Sequence, residues 1–263
     1  MAYELLTLER NVAGVATMTL NRPERLNSYT PEMEAEMRAA TTEVAEDIEV
    51  RALVVTGAGR AFSAGGDVSG MQKGGHWDLS PAQREARFQG LGQVVTNLHG
   101  MPKPTIAMIN GFAVGAGCNL AMACDQRIAS DKARFGLAFI NVALGDDMGG
   151  AWMLPRLVGL GKAMELLQTG AIIDAEEALR IGLVNRVVPH DELESETYAL
   201  AEQLARGPSH AHGLMKRMVY RGMESSFQEL LDFEAAHQAN EMDHPDHLEA
   251  ASAFLEKREA QYR

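Results

Sequence analysis

Residues 51–68 read RALVVTGAGRAFSAGGDV. The first half is an apolar run with the character of a buried strand. It ends in small residues, and one acid, Asp67, follows. Glycine there permits φ > 0 and lets another group come close to the backbone. Residues 110–120, NGFAVGAGCNL, repeat the device. Both stretches end an apolar strand in small residues and then enter a helix. A helix N-terminus carries free N–H groups and a partial positive charge. Two such corners can aim two donors at one oxygen, which makes an oxyanion hole from main chain alone. They can equally be two tight strand-to-helix turns that bind nothing. The residues by themselves leave both readings open.

Working outward, residues 3–9 and 14–20 alternate like two strands joined by a turn. Thr30 followed by Pro31 predicts a helix start, with the helix running to about Ala45. Ser80 and Pro81 open a second helix, weakened by Gly90 and Gly92. Residues 103–130 read strand, glycine turn, helix, strand. Residues 132–150 are irregular and apolar, and from Ala151 onward the period is helical almost throughout. Strands alternating with helices, then a run of helices, predict an α/β core with a helical C-terminal extension.

Composition narrows the chemistry. The 263 residues are 46% hydrophobic and 23% charged, with 24 Lys and Arg against 36 Asp and Glu, a net charge of −12. Such a chain repels nucleic acid and anionic membranes, so an anionic ligand needs a local cluster of cations. Cys118 and Cys124 lie in one apolar segment without CxxC spacing and read as buried thiols in a reducing compartment. No basic leader or membrane-length apolar run is present, so a cytoplasmic protein is expected.

Seven stretches in order resemble the enoyl-CoA hydratase/isomerase (crotonase) family: NRPERLNSYT, GRAFSAGGDV, NGFAVGAGCNLAMACD, ARFG, LPRLVGLGKAMELLQTG, AEEALRIGLVNRVV and FLEKREAQY. The resemblance implies an α/β crotonase-like fold of repeated ββα units over residues 1–195. It also implies a helical C-terminal region over 196–263 that serves trimerisation and completes the CoA site. Trimers, often paired into hexamers, and an acyl-CoA thioester substrate are further implications. The two oxyanion donors then fall on Gly66 and Ala116. Removing a proton beside a thioester charges its oxygen, and each preorganised donor there is worth about 3–4 kcal/mol. Residues Ala64, Gly65, Gly66, Asp67 and Val68 would line the CoA path. Arg25, with Arg22 beside it, and Lys257 would meet the CoA phosphates.

One departure decides the expected reaction. Hydratases of the family use two glutamates, and this sequence has Asn119 and Phe139 at those positions. Neither side chain can transfer a proton. A carboxylate appears further on, in VALGDDMGGAW: Asp147 matches the catalytic aspartate of certain isomerases of the family. The stretch looks closest to the isomerases of ring-epoxidised phenylacetyl-CoA, which also tend to carry Asn at the position of Asn119. It differs from them at Asp146, where proline is common, and at Ala143, where glycine is common. An isomerase needs one base, and an apolar pocket of Phe139, Leu144, Met148 and Trp152 would raise that base's pKa. Asn119 would orient substrate or a water, and Asp146 would cap the following helix. Without the resemblance, Asp147 reads as a helix cap.

The remaining candidates read as structure. Asp67 orients its own turn, Ser63 lacks the G-x-S-x-G pattern, and the EMDHPDHLEA cluster around His244 and His247 is a helix start. No metal and no tightly bound cofactor are expected. CoA enters only as part of the substrate. The rival readings are a hydratase-like lyase using Asp147 alone and a non-catalytic acyl-CoA binder.

Overall fold

The structure is a computed structural model and describes residues 3–262. A hairpin of β1 (Leu6–Arg10) and β2 (Val15–Leu20) leads to helix α1 (Pro31–Glu46). Three units of the same plan follow. The first is β3 (Ala52–Gly57), β4 (Ala61–Ser63) and α2 (Pro81–Gly100). The second is β5 (Thr105–Ile109), β6 (Phe112–Val114) and α3 (Ala116–Ala123). The third is β7 (Gln126–Ser130), β8 (Arg134–Gly136) and α4 (Gly150–Val158). Then come α5 (Leu160–Thr169), β9 (Ile172–Asp174), α6 (Ala175–Arg180), β10 (Arg186–Val188), α7 (Leu193–Arg206), α8 (Ser209–Gly222), α9 (Phe227–Glu241) and α10 (Pro245–Glu256).

Each ββα unit sends its first strand to one sheet and its second to another. The six-stranded sheet runs β1-β2-β3-β5-β7-β10, parallel beyond β2. The four-stranded sheet runs β4-β6-β8-β9, with β9 antiparallel. Because every unit turns from one sheet to the other between its two strands, the segments after β4 and β6 emerge side by side. These are the two small-residue corners.

The period of two in β3 divides the core. Leu53 and Val55 pack with Met33, Met37, Phe62, Leu98 and Leu120 on the face covered by α1, α2 and α3. Ala52 and Val54 face the other way, against Ile106, Ile128 and Leu193, Ala201 and Ala205 of α7. All six residues of β3 are buried, which is why it reads as a continuous apolar run. The boundary expected at 195/196 therefore falls inside a helix that packs on the sheet.

The helix starts behave as predicted. Thr30 Oγ1 accepts from Met33 N at 3.4 Å, and Ser80 with Gln83 forms a capping box that carries α2 through both glycines. Two expectations need correction. The C-terminal half is not all helix: β9 and β10 interrupt it, each three residues long, too short to impose a visible period. The first corner also does not open an α-helix. It enters a four-residue 3-10 turn, Val68–Met71, so a helix dipole acts only at α3.

Candidate active site

The first corner is fixed by Tyr29. Its N–H donates to Gly65 O at 2.8 Å, and its carbonyl accepts from Asp67 N at 3.1 Å, as in a short parallel bridge. In that pattern the N–H of Gly66 points away from Tyr29. Ser63, fully buried, holds the turn from below. Its hydroxyl accepts from Gly65 N at 3.0 Å and donates to Asn27 O at 2.8 Å. Asp67 accepts from Ser69 N and Oγ and pairs with Arg22 at 3.5 Å, so its side chain serves its own turn.

The second corner meets the first at Gly65. That residue has φ +80°, and a Cβ there would sit 2.7 Å from Val114 O and 3.0 Å from Ala116 N. A Cβ on Gly117 would lie 2.3 Å from Ser63 O. Small residues are therefore required because the two corners touch. Ala116 N lies in the first turn of α3, where Asn119 N and Cys118 N already take Gly115 O. Among the described residues neither Gly66 N nor Ala116 N donates to any protein acceptor.

Gly66, Ala116 and Asp147 line one cavity of about 500 Å³. Its apolar wall includes Val68, Met71, Trp77, Phe88, Leu91, Phe139 and Leu144. Arg84 lines the wall with its Nε donating to Leu79 O, and the one other acid on the wall, Glu34, is committed to an arginine outside the lining. Glu34 takes two hydrogen bonds of 2.6 Å from Arg87, which lies 3.6 Å from the Trp77 ring centroid, and both side chains are under 10% exposed. Asp147 is free by contrast. Its Oδ1 is buried without a partner, and no lysine, arginine or histidine among the described residues forms an ion pair with it. Burial first, and then the neighbouring Asp146 carboxyl, raise its pKa to about 7. The Tyr29 hydroxyl, which also borders the cavity, is likewise buried and unpartnered.

Behind Asp147 stands Asn119, with no exposed surface. Its amide nitrogen donates to Asp146 Oδ1 and to the main-chain oxygen of Asp147, both at 2.8 Å. Asn119 therefore holds the loop and is not part of the cavity lining. Asp146 is not the N-cap residue of α4, which begins after Gly149 with no side-chain cap, although the Ala151 N–H of its first turn faces the Asp146 carboxyl. The loop is strained at Ala143 (φ +56°) and Met148 (φ +46°). Such left-handed conformations cost a non-glycine residue about 1–2 kcal/mol.

Of the expected residues, Ala64, Gly66, Val68, Ala116 and Asp147 converge on the cavity, with Gly65 as their spacer. Arg25 is exposed and ends a 3-10 turn, and Lys257 ends α10; neither lines the cavity. Phe139 and Leu144 form its wall as expected. Met148 is buried outside the lining, and Trp152 faces a different cavity, packed between His99 and Arg156. The Glu34–Arg87 pair and the aromatic wall from Trp77 and Phe88 went unread in the sequence. Only the i, i+3 spacing of Arg84 and Arg87 hinted that one face of α2 carries charge inward. Burial pushes both thiols up to about 12, so they are inert. His244 caps α10 through its own ring nitrogen, as a helix start does. Among the described residues no three His, Cys, Asp or Glu side chains gather as metal ligands, and no helix is long and apolar enough to cross a membrane.

The family model described as "Enoyl-CoA hydratase/isomerase" matches residues 10–263. The chain is 39% identical to a crotonyl-CoA hydratase of Syntrophomonas wolfei, over all of this chain and 99% of that one. It is 38% identical to the 1,2-epoxyphenylacetyl-CoA isomerase of Escherichia coli, over 95% of each. Among solved structures it superposes on an enoyl-CoA hydratase from Mycobacterium smegmatis with a TM-score of 0.92, at 36% identity and 98% coverage of both chains.

Proposed function

The chain belongs to the enoyl-CoA hydratase/isomerase family, and from that premise we propose that it is an acyl-CoA isomerase that moves a double bond from C3 to C2 of a thioester. The observation that carries this reading is a single unpaired carboxyl, Asp147, sharing a cavity with two free main-chain N–H groups. No second acid is available there: Glu34 is held by Arg87, and positions 119 and 139 carry Asn and Phe.

Gly66 N and Ala116 N receive the thioester oxygen. Asp147 removes a proton from C2, and the electron pair delocalises through the thioester and the C3–C4 double bond as a dienolate. The charge on oxygen rests between the two N–H groups, with the N-terminus of α3 behind one of them, each donor contributing about 3 kcal/mol. The proton on Asp147 then returns at C4, leaving the double bond between C2 and C3. A carboxyl that titrates near 7 is ionised in useful amount at neutral pH and still basic enough to take the proton. The apolar wall excludes the water that would add to the product.

CoA lies along Ala64–Val68, with Arg25 and Lys257 supplying cations. Both cations stand clear of the cavity in the single chain, which supports a site completed by a neighbouring copy. Phe254 (84% exposed), Leu255 (81%) and Met215 (62%) give α8 and α10 apolar surface to bury in a homotrimer or hexamer. A cytoplasmic location fits the two free cysteines. The hydratase name of one relative supports a second reading, in which Asp147 alone activates water. A product screen over 3-enoyl and 2-enoyl thioesters separates them. Isomerisation of 3-enoyl-CoA that is lost in Asp147→Asn is expected. Hydration of 2-enoyl-CoA as the main reaction selects the lyase, and no turnover of either class selects a binder.

A further inference from the structure

Asn119 has two amide hydrogens, and both are used, on Asp146 Oδ1 and on the Asp147 main-chain oxygen, each at 2.8 Å. The second contact fixes which way the amide faces, because a main-chain oxygen can only accept. The amide oxygen is thereby turned the other way. It is buried without a donor, and so is the second carboxyl oxygen of Asp146. These two orphans converge: a Cβ built on Gly150 would lie 2.4 Å from Asn119 Oδ1 and 2.3 Å from Asp146 Oδ2. Two acceptors face one spot, and besides the Asn119 amide only the main-chain N–H groups of Asp147 and Ala151, among the described residues, stand near the Asp146 carboxyl.

We propose that Asp146 is a protonated carboxylic acid whose hydroxyl donates to Asn119 Oδ1, closing a cyclic acid–amide pair that holds the Asp147 loop. One proton satisfies both orphaned oxygens at once. The surrounding charges agree. The titratable groups around the pair are Asp147 beside it and the Cys118 thiol of α3; Asp147 in turn faces the Tyr29 hydroxyl and Glu34 of α1, the latter neutralised by Arg87 of α2. None is a free cation, and among the described residues neither aspartate forms an ion pair. A second carboxylate next to Asp147 would have nothing to balance it, and burial disfavours its charged form. A neutral Asp146 places no charge beside Asp147, so burial, the first cause, is what holds the Asp147 pKa up. Asp146 is thus a positioning residue. It fixes the turn while leaving Asp147 as the carboxyl that exchanges protons with substrate. The proposal extends the assignment of Asp147 as the base, although the pair itself does not depend on it.

Asp146→Asn tests this because an amide reproduces a protonated carboxyl: it can accept from Asn119 Nδ2 and donate to Asn119 Oδ1. Infrared difference spectra at pH 8 are expected to show a protonated-carboxyl C=O stretch in the wild type that is missing in Asp146→Asn. The acid limb of the pH–rate profile is expected to keep its midpoint in this variant. Asp146→Ala, which cannot close the pair, is expected to lose at least about tenfold in kcat with KM little changed, since the base is then loosely held. The proposal is overturned if the infrared band is the same in both proteins. It is also overturned if Asp146→Asn moves the acid limb down by about a pH unit, the signature of removing a negative neighbour. Should Asp147→Asn keep full turnover, the base assignment fails, but the infrared band still decides the state of Asp146.

Discussion

Replacing Asp147 by asparagine is expected to stabilise the protein, and to do so only where the aspartate would be ionised. A carboxyl raised from 3.8 to about 7 binds its proton more tightly in the folded chain than in the unfolded one. Between those two values the folded state therefore holds more protons, and stability falls as pH rises. At 1.36 kcal/mol per pH unit the whole interval amounts to about 4 kcal/mol, and the part above pH 5 to about 3 kcal/mol. Below about pH 4 the wild type suffers no penalty. The asparagine variant does not titrate, so its advantage should grow by about 3 kcal/mol from pH 5 to pH 8. Urea unfolding of both proteins at the two pH values, at one protein concentration, measures this growth. Any misfit of the new amide is common to both pH values and cancels. A stability gap that does not change between pH 5 and pH 8 would mean that Asp147 titrates as an ordinary solvated carboxyl, and the desolvated base would have to be abandoned.

Four further outcomes follow from the same geometry. Asp147→Asn should lower kcat by about 10²–10⁴-fold, the usual worth of a positioned base, while CoA affinity measured by calorimetry stays near the wild-type value. In the wild type, kcat/KM for isomerisation should rise with pH through about 7, as Asp147 loses its proton. Gly65→Ala puts a methyl 2.7 Å from Val114 O at φ +80°, so it should part the two corners; the loss of one aligned donor predicts a fall of about 10²–10³ in kcat, read in the same assay. Arg87→Met leaves Glu34 buried and unpaired and should destabilise the fold by about 3–5 kcal/mol in urea, with the Glu34→Met/Arg87→Met double variant recovering most of that.

What could be read in advance follows from where the constraint lies. The corners at 64–67 and 114–117 were legible because main chain must approach main chain there, which restricts each position to a small residue whatever the ligand. Strand β3 was legible because both its faces are covered. The strands β4, β6, β8 and β9 were not. They are three residues each, and their place in the second sheet comes from pairing across distant segments. The hydrogen-bond partners of Asn119 were not legible for a similar reason. From the sequence it occupies the place of a catalytic group, and only the folded loop shows its amide spent on Asp146 and Asp147. Trp152 was assigned to the wrong cavity because apolar character says that a side chain is buried, not on which side of α4. The Glu34–Arg87 pair joins residues 53 apart in sequence through the packing of α1 on α2, and no local pattern announces it.

The central claim is that one carboxylate carries a hydrogen from C2 to C4 while two main-chain N–H groups hold the charge. Its most direct measurement is the fate of that hydrogen when a 3-enoyl-CoA labelled at C2 with deuterium is turned over in ordinary water and the product is read by NMR. The mechanism predicts 2-enoyl-CoA with part of the label delivered to C4, and this transfer slowed by about 10²–10⁴-fold in Asp147→Asn. Label appearing at C4 at the same rate in that variant, or 3-hydroxyacyl-CoA as the first product, contradicts it.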